Sequence, residues 1–192
     1  MNKPFQFLLL MMMLAGKSAF SQTALPLPAN IQKACTQSTR SETGTPGKSY
    51  WQNRADYAIQ VNFNPLNREL TGTVGIDYVN NSPDTLKRVW FKLYPNLYQK
   101  ESVRAVPVAA KDLTDGVHIV AVKIDNSLMD STHRTIRGTN MILKDTKVLP
   151  HQHVHYDITY AYTLNKGSFI RTGQIDSGAF FYCLFFSASG CI

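Results

Sequence analysis

Tyr57-Ala58-Ile59-Gln60-Val61-Asn62-Phe63, then Asn64-Pro65-Leu66-Asn67, then Leu70 to Tyr78 with Leu70, Val74, Ile76 and Tyr78 set among Thr71, Thr73 and Asp77, is the stretch that decides the fold. Apolar residues at every second position put one face of an extended strand against a core and leave the other to polar groups. Two such runs separated by Asn, Pro and Asn read as a hairpin, and the second run closes at Asn80-Asn81-Ser82-Pro83-Asp84, a dense cluster of turn formers. The alternation predicts that Tyr57, Ile59, Val61, Phe63, Val74 and Ile76 are largely buried.

The same signal continues outward from the hairpin. Val89 to Tyr94 reads as a third strand, carrying a buried Trp90 and stopped by Pro95-Asn96. Between Val117 and Ile124 both alternating sets are apolar or nearly so, which predicts a strand buried on both faces, Val120 included. Short strands are expected at Arg134 to Arg137 and Met141 to Leu143. A long one follows from Val154 to Leu164, with Tyr156, Ile158, Tyr160 and Tyr162 on one face. No segment carries a convincing helical period. Many strands punctuated by Asn, Asp, Gly and Pro turns predict an all-β fold, an antiparallel β-sandwich built from hairpins.

Upstream of the strands the composition changes twice. Lys3 followed by an apolar stretch from Phe5 to Gly16, with small residues around Ala19 to Ser21, reads as a signal peptide over residues 1–21. The apolar run is near a dozen residues, against the ~20 that span a bilayer, and Lys17 closes it. A secreted or periplasmic location is therefore expected, with no stable membrane span. Residues 22–48, rich in Ser, Thr, Pro, Gly and Ala, read as a flexible lead-in with little structure. The β domain is expected over residues 49–181.

Composition bounds the function classes. The 192 residues carry 20 Lys and Arg against 13 Asp and Glu, a net charge of +7, with 44% hydrophobic and 17% charged residues. A chain of this length buries roughly two-thirds of its unfolded surface and needs no disulfide framework. The basic residues are scattered singly, without the run that would neutralise consecutive phosphates, so no nucleic-acid partner is expected. Cys35, Cys183 and Cys191 are an odd set, so in an oxidising compartment at least one is unpaired or pairs between chains.

Few residues advertise chemistry. His151-Gln152-His153-Val154-His155 would, on a strand, aim three imidazoles at one face, and three imidazoles with a water make a catalytic zinc shell. Leu149-Pro150 instead suggests a turn that leaves His151 and His153 exposed, and no carboxylate is marked to orient the ligands. None of the five His is followed by Glu, so the His-Glu-x-x-His zinc-peptidase pattern is absent, as are Gly-x-Ser-x-Gly and phosphate-cradling Gly-rich loops. Trp51, Trp90, Tyr94 and Tyr98 would serve either as a peptide or glycan platform or as packing, the commoner use of large aromatics in strands.

Several blocks carry a resemblance: Tyr50-Trp51-Gln52-Asn53-Arg54-Ala55-Asp56-Tyr57, Leu70-Thr71-Gly72-Thr73, Tyr78-Val79-Asn80-Asn81-Ser82-Pro83-Asp84-Thr85-Leu86 and Trp90-Phe91-Lys92-Leu93-Tyr94-Pro95-Asn96. Over about residues 50 to 180 the chain resembles secreted bacterial members of the aminopeptidase N and leukotriene hydrolase family, zinc metallopeptidases of the gluzincin type. The resemblance implies that family's N-terminal domain, an all-β saddle that packs against a separate catalytic domain and helps close the cleft over the free amino end of a peptide substrate. Zinc, its His-Glu-x-x-His ligands and the Gly-x-Met-x-Asn loop belong to the catalytic domain, so no catalytic, cofactor or metal residue is carried over to this chain. The fragment itself is expected to be inactive. The alternative, from another class, is a free-standing exported peptide- or glycan-binding β module.

Residues 182–192 depart from the family pattern. Tyr182 to Ile192, in one permitted codon choice and with the first base dropped, reads Ile-Ala-Tyr-Phe-Phe-Pro-Arg-Val-Ala-Val-Tyr, the kind of continuation the family shows. A reading-frame slip near Phe181 is therefore expected to have produced an aberrant tail and a domain incomplete at its C-terminus.

Overall fold

A computed structural model describes residues 25–167, 172–182 and 188–191, the last as backbone only. The expected signal peptide, residues 1–21, lies outside the described residues, as does most of the 182–192 tail. Among the described residues no helix is long and apolar enough to cross a membrane. The chain divides into two compact units with the boundary after Tyr50.

The first unit differs from the little-structured lead-in expected at residues 22–48. It contains a helix, α1 (Ala29–Thr36), none of whose residues is buried. Ala, Gln and Lys have good helix propensity, and the chain leaves the helix through Ser38 in a left-handed conformation, φ 58°. A tight turn follows, closed by pairing of Arg40 with Pro46 and by the hydroxyl of Ser41 against Thr43 and Thr45 at 2.9 and 2.7 Å. These bonds are all local, so the segment forms without the apolar core that its composition cannot supply. Cys35 on the helix is a half-buried free thiol.

The second unit is all-β with antiparallel pairing throughout its sheets. The expected hairpin is β1 (Arg54–Asn64) and β2 (Glu69–Val79), paired over their full length with Phe63 opposite Leu70 and Tyr57 opposite Ile76. It joins β4 (His118–Ile124), β5 (Ser127–Leu128) and β8 (His153–Thr163) in a five-stranded sheet of order β1-β2-β8-β4-β5. A four-stranded sheet has the order β11-β3-β7-β6, from β3 (Arg88–Lys92), β6 (Arg134–Arg137), β7 (Asn140–Leu143) and β11 (Ala188–Cys191). A hairpin of β9 (Gly173–Asp176) and β10 (Ala179–Phe181) completes the unit. Short 3-10 turns at Tyr94–Tyr98, Ala110–Asp112 and Ser131–His133 are the helical segments here.

The two larger sheets pack face to face. Leu70, Val74, Ile76 and Tyr78 from β2 and Tyr156, Ile158 and Tyr160 from β8 share one core with Val89 and Phe91 from β3 and Met141 and Leu143 from β7. Phe91 meets Tyr156 edge to face, centroids 5.4 Å apart. At about 25 cal/mol per Å² of apolar surface, each such side chain stabilises the fold by roughly 1.5–3 kcal/mol.

Two expectations about burial are corrected. Val74 and Ile76 are fully buried, but Tyr57 and Ile59 are 40% and 44% exposed, and Val61, Phe63 and Trp90 only half-buried. β1 is the edge strand of the larger sheet, and its inward face is only partly covered. Ala55, Val61 and Phe63 are partly covered by the core, and Phe63 also stacks edge to face on Phe180 of β10 at 4.9 Å. The second correction is β4, where Val120 is 57% exposed. The register shifts between Ile119, opposite Tyr160, and Ala121, opposite Thr159. This β-bulge spends one residue without a partner and reverses the phase of alternation. Ile119 and Val122 therefore both face the core, while His118, Val120 and Lys123 face solvent.

Candidate functional site

The densest polar constellation lies on the outer face of the five-stranded sheet, where β2 and β8 run side by side with Asp77 opposite His155 and Gly75 opposite Asp157. Residues 77, 155 and 157 belong to the alternate set that points away from the core. His155 Nδ1 is 2.7 Å from Asp77 Oδ1 and its Nε2 is 3.2 Å from Asp157 Oδ1. The backbone N–H of His155 donates to Asp125 Oδ1 at 2.9 Å. Gly75 leaves open the space beside the imidazole: a Cβ there would stand 3.5 Å from both Asp157 Oδ1 and His155 Cε1.

Two carboxylates on one imidazole favour its protonated form. The hydrogen bond that His155 donates to Asp77 raises the His155 pKa above its ordinary value; burial opposes it, and smaller contributions from Asp157 add to the rise. In that protonated form both ring nitrogens donate to carboxylates, so neither is left to accept a proton from a nucleophile or to ligate a metal. The arrangement is a cross-strand ionic clasp joining β2 to β8.

The three histidines singled out by the sequence are not brought together. His151 sits in a turn with φ 61°, its N–H donating to Asn80 O at 2.6 Å, and its side chain is exposed. His153 opens β8 and is also exposed. Among the described residues no three His, Cys, Asp or Glu side chains are grouped to hold a metal ion. Nothing in the sequence marked Asp77 and Asp157 as partners of His155. They lie 78 and 2 residues away from it, and the register that joins Asp77 to His155 is a property of the folded sheet.

The aromatic set does not form one surface either. Tyr98 is buried, Trp51 and Trp90 are half-buried and Tyr94 is 48% exposed.

The residues that carried the resemblance occupy framework positions. Asn53 Nδ2 donates to Tyr78 Oη at 2.8 Å, while Asn53 Oδ1 accepts from the Asn81 N–H at 2.9 Å. Asn80 is fully buried; its Nδ2 donates to the carbonyls of Asp84, Val148 and Leu149, and its Oδ1 accepts from the N–H and hydroxyl of Ser82. Asn96, also fully buried, links Gly138 O to the N–H of Val117. Buried amides with this many partners fix where three loops cross. Comparison with protein-family models and with curated proteins finds no match to this chain.

Proposed function

We propose that the chain is the non-catalytic N-terminal β domain of an exported zinc aminopeptidase of the aminopeptidase N and leukotriene hydrolase type, zinc and peptide hydrolysis belonging to a catalytic domain. The observation that carries this reading is the apolar side of β1. Tyr57 at 40% and Ile59 at 44% exposure lie on the core side of an eleven-residue edge strand, the kind of surface a sandwich presents when a second body packs on it. The amide framework at Asn53, Asn80 and Asn96 supports the same reading, because those side chains lie within the resembling blocks and give them a structural role. Hydrolysis by this family needs a metal to polarise the scissile carbonyl and a Glu base, and neither comes from the clasp at His155.

The place of β1 at the edge of its sheet, next to β2 alone among the described strands, favours a second reading, a module that adds an extended peptide as a further strand. Two measurements separate the readings. The genomic DNA past the codon for Ile192 should contain, in some frame, His-Glu-x-x-His with a later Glu; its absence overturns the first reading. Purified protein titrated with extended peptides should show no saturable binding under the first reading, whereas saturation that is lost on placing Pro within β1 supports the second.

A further inference from the structure

A cleft of about 380 Å³ opens where the β1–β2 turn, the 98–100 stretch, the 111–115 loop and the end of β8 meet. Four cations line it, Arg68, Lys100, Lys111 and Lys166, against one carboxylate, Asp115. Among the described residues none of the four cations forms an ion pair with a carboxylate. Mutual repulsion among unpaired cations is unfavourable, and a chain of ordinary charge density has no structural need to gather them.

The backbone holds these groups in place. Arg68, in a left-handed conformation with φ 58°, exchanges bonds with Leu164: Leu164 N–H donates to Arg68 O at 2.9 Å, and Arg68 Nε donates to Leu164 O at 3.2 Å. That leaves both Arg68 Nη groups, with their fork of donors, for the cleft. Thr114 N–H donates to Tyr98 O at 3.0 Å and Gln99 Nε2 to Asp115 O at 2.7 Å, which sets Lys100 beside the 111–115 loop. Buried Asp112 accepts from the Gly167 N–H at 2.6 Å, so Lys111 and Lys166, the neighbours of these two residues, reach the same opening. Gly167 is required for that approach, since a Cβ there would stand 2.5 Å from Asp112 Oδ1.

We propose that this cleft binds a small phosphorylated anion carrying more than one phosphate group. A single phosphate brings about −1.5 to −2 charges, short of the excess of three positive charges on the lining, whereas a diphosphate matches it. The volume falls within the ~300–1,000 Å³ of small-ligand sites. Arg supplies bidentate contacts to phosphate oxygens and the three Lys supply point charges.

Isothermal titration of the purified chain with inorganic pyrophosphate at low salt tests this. Saturable one-to-one binding is expected, tighter than for inorganic phosphate and weakened by added salt. Lys111→Gln with Lys166→Gln should weaken it about tenfold or more, as expected for two lost charge-assisted contacts. Lys87→Gln, an exposed lysine outside the cleft, should leave it within about twofold. Asp115→Asn should tighten binding, while Asp176→Asn should not. No saturable binding, or equal losses for the cleft and Lys87 variants at unchanged thermal stability, overturns the proposal.

Discussion

Gly72 on β2 lies directly across from Tyr160 on β8, and the tyrosine ring fills the space a side chain at position 72 would need. A Cβ there would come within 2.9 Å of Tyr160 Oη and 2.5 Å of the Gln60 carbonyl. Neither neighbour gives way easily, one being a side chain 1% exposed and the other strand backbone. Gly72→Ala is therefore expected to destabilise by about 1–3 kcal/mol through overpacking, read as a lower urea midpoint at unchanged slope. Gly138→Ala, where a Cβ meets nothing within 4 Å but φ is 53°, should cost only the milder strain of a left-handed residue, ~1 kcal/mol.

Tyr156 and Tyr78 sit in the same core with opposite hydrogen-bond histories. Tyr156 is fully buried and its hydroxyl finds no hydrogen-bond partner among the described residues, whereas Tyr78 Oη accepts from Asn53 Nδ2. Burial also holds the Tyr156 proton far above its ordinary pKa, so the group stays neutral. Removing an unsatisfied hydroxyl is neutral or stabilising, and removing a bonded one costs about 1 kcal/mol or more. Tyr156→Phe should thus leave or raise the melting temperature while Tyr78→Phe lowers it. A drop for Tyr156→Phe as large as that for Tyr78→Phe would contradict this account.

The clasp at His155 has a pH signature. Its folded pKa is raised above the unfolded value of about 6.5, so its contribution is fully present below that value and is lost as pH rises through the folded pKa. The charged groups around it are Asp77 on β2, Asp157 on β8, Lys123 on β4 opposite Asp157, Asp125 at the His155 N–H, and Asp56 on β1 opposite Asp77. The His155 side chain is 38% exposed, so solvent and salt limit the effect to no more than about 1 kcal/mol. Thermal melts between pH 5.5 and 8.5 should show stability falling with pH, and that component should vanish in His155→Gln and shrink in 0.5 M salt. An imidazole whose NMR titration midpoint lies at or below the unfolded value would remove the basis for the clasp.

The bulge in β4 predicts a contrast between two valines two residues apart. Val120 is 57% exposed and Val122 is fully buried. Val120→Thr should stay within about 0.5 kcal/mol of the parent, while Val122→Thr places a hydroxyl in the core and should cost about 2 kcal/mol or more. A strand buried on both faces would be equally sensitive at both sites.

The same strand shows what the sequence could and could not reveal. Period-two alternation located β1, β2 and β8, because in a half-buried strand burial and spacing report the same face. In β4 the inserted residue spreads apolar side chains over both phases, so a one-sided strand mimics a two-sided one. The exposure of Tyr57 and Ile59 was equally hidden: alternation shows which face is apolar, while what covers it depends on how far the opposing layer reaches. Pairs such as Asp77 with His155 arise only from register, and the segments that bring Arg68, Lys111 and Lys166 to one cleft are nearly a hundred residues apart in sequence. His155 drew notice in the sequence only as part of a histidine run, not for the carboxylates that hold it.

The apolar side of β1 leads to the last prediction. Tyr57 and Ile59 point toward the core side of an edge strand, where charged residues are the usual guard against pairing with another chain. Here Lys and Arg are absent between Ala55 and Asn67, and while Ala55, Val61 and Phe63 pack against the core, with Phe63 also against Phe180 and Tyr182 at 4.9 and 5.9 Å, Tyr57 and Ile59 stay 40% and 44% exposed. The purified chain is therefore expected to self-associate with rising concentration. Ile59→Lys puts a charge on the exposed side chain without emptying a core position, so it should raise the concentration at which the chain stays monomeric by several-fold. It should change the unfolding free energy by less than about 1 kcal/mol, since Ile59 is already 44% exposed. Val74→Lys, on the neighbouring strand and fully buried, should instead unfold the domain. Sedimentation over a tenfold concentration range decides the matter: a wild-type chain that remains monomeric throughout, or an Ile59→Lys variant that associates as readily as its parent, would show that this face does not drive self-association.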